Sequence, residues 1–533
     1  MTSKAISPRP ATETWNLTKP AIESAGGVIA TQHRLASEAG AEILADGGNA
    51  IDAAIAASFV LATVEPWMSG LGGGGYMMVR RSGEAGAQMV DFGMVASGEL
   101  DVSAYPLTGG AGGDMFGWPE VLEDRNLKGF LSIALPTQVG GLGLAHERFG
   151  TKSWTELLVP AIASAEAKME ADWYTTIAIA AAAADLAENQ TSAEIYMPSG
   201  FPAAGQWSSP PPRIKLGNLA NTLRRLAEAG ADDFYRGETA EKIVADLSAG
   251  GCPLSLAEFC DYRARIVDVA AHPYRSAQIF AAPGLTAGPT MKDTLDGLQS
   301  HLIPDGALGA NAFHLLASTL AAAIKMRLAG AGDDVKTQGG IQGDSCTSHI
   351  SVVDSQGTAV ALTQTLLSPF GAKIVLPETG ILMNNGMMWF DPRPGNPNSI
   401  GPGKRPLSNM CPAIVETADG LRVALGASGG RRIMPAVLQL ISFLVDHRMS
   451  VNEAIHHPRI DVGGTANVVI DSRLSDAVYE ALDADFDVSW ANHGVYPVLF
   501  ACPNIVAWDS HQKRGLGAAF VSSPRAVVAQ PGS

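Results

Sequence analysis

At residue 346 the chain changes character. Up to that point its periodic stretches are mostly helical. After it come short β-branched segments: His349–Asp354 (HISVVD), Thr358–Leu366 (TAVALTQTL) and Lys373–Pro377 (KIVLP). Turn residues such as Ser355-Gln356-Gly357 separate them, which is the pattern of strands joined by tight connections. Helices early and strands clustered late predict a fold of layered α and β elements.

The early region fits that reading. Gly26–Gln32 (GGVIATQ) is predicted as a short strand. His33–Asp46 has helical spacing and ends at Gly47-Gly48. Asn49 caps a second helix, Ala50–Val64, which stops before Pro66. This helix is Ala-rich and apolar on most faces, so it is expected to be buried. Gly72–Gly75 lacks the Gly-Lys-Ser/Thr ending of a phosphate loop and runs into a strand rather than a helix. The four glycines are therefore read as a place of close backbone packing. Residues 136–247 read as mostly helical, broken by the loop Pro198–Pro212. Thr337–Ser345 is polar and Gly-rich and is expected to be exposed. Residues 1–25 are expected to form a flexible arm. Leu421–His447 reads as strand, glycine turn, helix.

Composition excludes several classes of function. The 533 residues are 46% hydrophobic, enough for a large core. A net charge of −16 argues against a nucleic-acid partner, which needs clustered Lys and Arg. The five cysteines form no Cys-x-x-Cys pair, so neither a disulfide framework nor a zinc site is implied, and no metal or organic cofactor is expected. The opening MTSKAISPRPATETW has no apolar core. The longest apolar runs, Ile177–Ala184 and Met434–Val445, are too short to span a bilayer. The expectation is a cytoplasmic protein without membrane partners, or a periplasmic one if a signal has been removed.

Thr347 stands between the polar loop and the first late strand. A threonine hydroxyl is a weak nucleophile and needs a base nearby. His349 is one candidate, because residues two apart on a strand share a face. The other is the α-amine of Thr347 itself, freed if the Cys346–Thr347 bond breaks. An α-amine, with a reference pKa near ~8, suits proton transfer at neutral pH. Gly429-Gly430, a glycine turn before a helix, is a candidate pair of N–H donors for an oxyanion.

Several ordered motifs resemble those of the γ-glutamyltranspeptidase family, from about Gly26 to Ala519. They are GGNAIDAAIAASFVLATVEPWMSGLGGGGYMMV, NLANTLRRLAEAGADDFYRG with DYRARIVD, TSHISVVDSQGTAVALTQTL, GILMNN, GPGKRPLSNMCP and GASGGRRI. The resemblance implies an α+β fold, the four-layer αββα sandwich of the Ntn hydrolases. It also implies self-cleavage into a large subunit, residues 1–346, and a small one, residues 347–533, paired as a heterodimer. A dimer of such heterodimers is left open. On this resemblance Thr347 matches the nucleophile and Thr365 the second threonine that hydrogen-bonds its amine. Gly429 and Gly430 match the oxyanion pair. Ser408 matches the first of a donor-site serine pair, with Asn409 in place of the second.

The departures concern the substrate. The family's donor-binding arginine falls at Gly93, an asparagine at Leu367, and a Gln and an Asp at Gly386 and Trp389. Burying an ammonium and a carboxylate without partners there would cost several kcal/mol, so glutathione-type donors are not expected. The resemblance then implies a small-molecule amide substrate with a different acyl group, cleaved through an acyl-enzyme. Arg431 and Arg432 are candidates to grip a carboxylate, because Arg forks bind carboxylates bidentately. Trp389, with Met387 and Met388, either lines an acyl pocket or belongs to the core. The stretch Pro394–Pro402 leaves little room for a lid loop, which would favour hydrolysis over transfer unless the loop has merely drifted. A γ-glutamyl hydrolase or transpeptidase with relocated anchors is the alternative. A non-catalytic scaffold is the third reading.

Overall fold

The computed structural model describes residues 17–112, 117–301, 308–330, 346–463 and 467–532. Two seven-stranded antiparallel sheets face each other. The first has the order Val527–Ala529, Gly27–Thr31, Cys346–Asp354, Ala359–Leu367, Gly74–Arg80, Ala87–Phe92, Arg265–Val269. The second runs Ile22–Ser24, Arg514–Ala519, Cys502–Asp509, Leu421–Ser428, Ala413–Glu416, Ala277–Ala281, His272–Tyr274. Helices Arg34–Ala45, Ala50–Val64 and Trp154–Ala167 belong to the apolar core outside the first sheet. Helices Gly288–Gln299, Ala310–Gly330 and Ile433–Val445 belong to the core outside the second. A third core, with Val353, Ala361, Ile414, Ala424 and Val506, fills the space between the sheets. The fold is thus a four-layer αββα sandwich.

Strand alternation explains this division. In Cys346–Asp354 every residue is buried, because both faces are covered. Ile350 and Val352 join the helix-side core and Val353 the inter-sheet core. Side chains along a strand point alternately to the two faces, so Thr347, His349 and Ser351 share the inter-sheet face with Val353. The Ala50–Val64 helix is buried along its whole length and carries a capping box between Asn49 and Asp52. Among the described residues no helix is long and apolar enough to cross a membrane.

The glycine run packs as expected. A Cβ on Gly72, Gly73, Gly74 or Gly75 would collide with the Leu382 carbonyl, the Thr365 carbonyl, the Thr137 hydroxyl and the Thr363 carbonyl respectively. Gly74 and Gly75 pair with Thr365 and Gln364, so the run is where two backbones approach closely.

Two expectations change. KIVLP is not a strand: it makes only an isolated bridge, Val375 to Leu382. Phe370 and Lys373 have φ of 61° and 65° respectively, in the left-handed region, which prevents an extended run. Part of the expected flexible arm is ordered, because Ile22–Ser24 pairs with Arg514–Ala519 as an edge strand. The Thr337–Ser345 loop lies outside the described residues.

Gly73→Ala is expected to destabilise the chain by about 1–3 kcal/mol, the usual range for overpacking. The check is the urea midpoint of unfolding, which should fall without a change in slope.

Candidate active site

The site forms where the ladder between Cys346–Asp354 and Ala359–Leu367 is irregular. Cys346 pairs with Leu367 and Ser348 with Gln364, so Thr365 and Leu366 together oppose Thr347. A bulge of this kind re-aims side chains. Leu367 takes a φ of 90°, and its N–H donates to Thr365 Oγ1 at 2.8 Å. Thr347 is 3% exposed.

The peptide joining Cys346 to Thr347 is held by hydroxyls. Thr347 Oγ1 donates to the Cys346 carbonyl at 2.5 Å. Thr365 Oγ1 donates to the same oxygen. The two hydroxyl oxygens lie 3.4 Å apart. Cys346 Sγ donates to the Trp67 carbonyl at 2.7 Å, fixing the residue before the bond. A carbonyl that accepts two hydroxyl hydrogen bonds is polarised towards attack at its carbon.

His349 faces along the same seam but is otherwise engaged. Its ring nitrogens contact Thr363 Oγ1 at 2.8 Å and Ser351 Oγ at 2.9 Å. Burial pushes it down to about 3, so it is neutral at physiological pH. A Cβ on Gly426 would collide with this ring, and Asn504 Nδ2 donates to the His349 carbonyl at 2.9 Å. The histidine therefore ties the two sheets together instead of serving Thr347. Two residues on from that contact, one strand reaches Thr347 and the other Ser428.

Ser428 opens the glycine turn. Gly429 and Gly430 have φ of 134° and 57°, conformations in which a side chain is disfavoured. A Cβ on Gly429 would also press on Ala501. The turn leads through Gly430–Arg432 into the helix Ile433–Val445, whose first N–H groups have no intrahelical acceptor. Gln32 was not anticipated here. Its Nε2 donates to Ser428 Oγ and, at 3.3 Å, to the Cys502 carbonyl. Only its place just after a strand marked it, and the contact spans 396 residues of sequence.

The four departures lie in two settings. A Cβ on Gly93 would run into the Tyr76 hydroxyl and the Arg405 guanidinium. Arg405 and Arg265 both pair with Asp91, Arg405 Nη1 at 2.8 Å and Arg265 Nη2 at 2.8 Å. Burial pushes the Asp91 carboxyl up, but its bonds to Arg405, Gly93 N–H and Arg265 hold it below the ordinary value. Leu367 and Trp389 are buried and belong to an apolar group with Met94, Met388 and Met410. Gly386 abuts Met94 and Ala134. Met387 falls in a separate small cluster with Phe390.

Ser408 is fully buried; its N–H donates to the Leu285 carbonyl at 2.7 Å. Asn409 Nδ2 is buried without a partner. Arg432 Nη1 donates to the Val498 carbonyl at 2.8 Å, a neutral acceptor. Among the described residues no group of three or more His, Cys, Asp or Glu side chains is placed to hold a metal.

Two facing sheets sheathed by helices, with a hydroxyl-held peptide bond at one end of their seam, define an amide hydrolase of the Ntn type. The gamma-glutamyltranspeptidase family model matches residues 36–339 and 335–512, and the chain belongs to that family. It is 33% identical over 501 residues to the acylase ACY 1 proenzyme of Pseudomonas sp. (strain SE83), covering 87% of each chain. It is 31% identical over 485 residues to a glutathione hydrolase proenzyme of Pseudomonas sp. (strain A14), covering 82% of each. The fold of cephalosporin acylase from Bacillus halodurans superposes with a TM-score of 0.84 at 20% identity, over 98% of this chain and 99% of that one. The chain is accordingly a hydrolase of amide C–N bonds, a proenzyme that divides itself into two subunits and acts on a small molecule.

The buried neutral His349 carries a pH signature. Its folded pKa, about 3, lies below the unfolded value of 6.5, so the unfolded state binds the extra proton as pH falls from about 6.5 towards 3. Its contribution is complete above pH 6.5 and is lost below it. His349→Gln is expected to reduce the acid slope of unfolding free energy in that window by up to about 1.4 kcal/mol per pH unit. Urea titrations of both proteins at several pH values measure it.

Proposed function

We propose that Thr347 is the nucleophile both of self-cleavage and of substrate hydrolysis, and that the subunits are residues 1–346 and 347–533. The observation that carries this is the Cys346 carbonyl, which accepts from Thr347 and Thr365 together. In self-cleavage, Thr347 Oγ attacks the Cys346 carbonyl carbon and the peptide C–N bond breaks. The resulting ester is hydrolysed by water. Cys346 keeps a carboxylate and Thr347 gains a free α-amine.

That amine then acts as base for its own hydroxyl. Thr347 Oγ attacks the substrate amide, and the N–H groups of Gly429 and Gly430 stabilise the oxyanion. The amine product departs with a proton, and water releases the acid from the acyl-enzyme. Thr365 positions the nucleophile throughout.

The acyl group is not γ-glutamyl. Gly93, Leu367, Gly386 and Trp389 supply neither a charge nor a hydrogen-bonding side chain for an amino-acid end, apart from the indole. Met94, Leu367, Met388, Trp389 and Met410 belong to the packed inter-sheet core, a setting with no partner for an ammonium or a carboxylate. Likeness to the acylase ACY 1 proenzyme supports an acyl group joined to an amine as the substrate class.

The purified chain is expected to run as two bands on denaturing gels. Thr347→Ala should remain one band without amidase activity, since both steps use one hydroxyl. Two fragments from that variant would sink the assignment. Thr347→Ser should divide and keep partial activity. Thr365→Ala should slow self-cleavage by roughly 10²–10³-fold, the usual cost of losing one donor to a developing oxyanion. A time course of fragment appearance reads it. In an amide panel, γ-glutamyl anilide should be a poor substrate beside simple acyl anilides.

A further inference from the structure

Gln32 lies just past the strand Gly27–Thr31, and its side chain crosses to the facing sheet. Val28 and Ala30 of that strand point into the inter-sheet core, and alternation carries Gln32 to the same face. The residue is 3% exposed. Its backbone is held between the strand and the helix Arg34–Ala45, whose N-cap is His33. Nε2 donates to Ser428 Oγ and, at 3.3 Å, to the Cys502 carbonyl. A carbonyl only accepts, which fixes the orientation of the amide. Both of its N–H bonds are thereby used. Oε1 is buried and has no partner among the described residues. An unmet buried acceptor carries a desolvation cost. Packing alone gives no reason to keep such a side chain, so its use lies in what the other end holds.

The two acceptors are themselves a pair. Ser428 and Cys502 face each other at the end of the ladder between Leu421–Ser428 and Cys502–Asp509. One side chain from the facing sheet thus staples the last rung. The next two residues are Gly429 and Gly430, at φ of 134° and 57°. Glycine is free to leave such angles, so the turn does not by itself fix where its N–H groups point. Their direction comes from the neighbours. Ala501 packs against Gly429, and the Gly429 carbonyl accepts from Arg432 N–H at 3.1 Å. The residue immediately before the turn is held by Gln32.

We propose that Gln32 is a positioning residue for the oxyanion turn: through Ser428 and Cys502 it sets the direction of the Gly429 and Gly430 N–H groups during substrate hydrolysis. This rests on the amidohydrolase reading above. The two reactions of Thr347 separate the effect. Self-cleavage draws on the Thr347 and Thr365 hydroxyls, which already hold the Cys346 carbonyl. Hydrolysis of a substrate draws on the two N–H groups of the turn. With the chain divided at 346–347, Gln32 belongs to the large subunit and the turn to the small one. The large subunit then completes an oxyanion hole whose donors both lie in its partner.

The test is kinetic. Gln32→Met keeps the length of the side chain without its hydrogen bonds. It should divide into two subunits at the wild-type pace, followed on denaturing gels. Its kcat on a simple acyl anilide should fall roughly 10- to 100-fold, a smaller loss than the roughly 10²–10³-fold cost of removing an oxyanion donor outright. KM should change by less than about threefold, because the contact matters only once charge develops on the oxygen. Ser428→Ala should show the same split. The double variant should lose no more than the larger of the two single losses, since both act through one hydrogen bond. An unchanged kcat in either single variant overturns the proposal. So does self-cleavage that slows in step with kcat, the mark of a general structural role, and so do losses that add in the double variant. If Gln32→Met does not fold, Ser428→Ala carries the comparison of the two rates, with the same outcomes. A wild type that divides itself yet hydrolyses no amide overturns the amidohydrolase reading, and this proposal with it.

Discussion

One irregularity in a β-ladder governs the geometry of this site. Between Cys346–Asp354 and Ala359–Leu367 the register slips, and two residues, Thr365 and Leu366, oppose Thr347. A regular ladder would set Thr365 directly across and leave its hydroxyl no reason to turn back. With the extra residue, Thr365 donates to the Cys346 carbonyl while accepting from Leu367 N–H. That places Leu367 at positive φ, an unfavourable conformation for a branched apolar residue. The surrounding packing has to enforce it. Gly73 packs against the Thr365 carbonyl on one side, and the Asn385 N–H donates to the Leu366 carbonyl on the other.

Beside this hydroxyl-rich point the chain has separated its charges. Asp91 is saturated by Arg265 and Arg405. His349 is neutral and bonded on both nitrogens. Both groups are thus satisfied within the protein.

Much of the frame was legible in the residues. Periodicity found the helices Arg34–Ala45 and Ala50–Val64, and β-branched runs between turn residues found the central strands. The glycine run was read correctly because a missing Cβ has one common use beside a strand. KIVLP was misread because its β-branched composition says nothing of the left-handed residues Phe370 and Lys373 beside it. Ile22–Ser24 escaped notice because three residues carry no period. Gln32 was invisible for a different reason. It acts through Ser428 and the Cys502 carbonyl, hundreds of residues away in sequence, and no local pattern encodes such a pairing.

The strand that begins at Cys346 is not an edge. It lies between Gly27–Thr31 and Ala359–Leu367, and the second sheet likewise interleaves Ile22–Ser24 and Ala277–Ala281 with strands from beyond residue 346. Division of the chain at this point would leave two polypeptides woven through each other in both sheets. Neither could depart without stripping backbone hydrogen bonds from the middle of the first sheet, so the ladders themselves would serve as the seam between the halves.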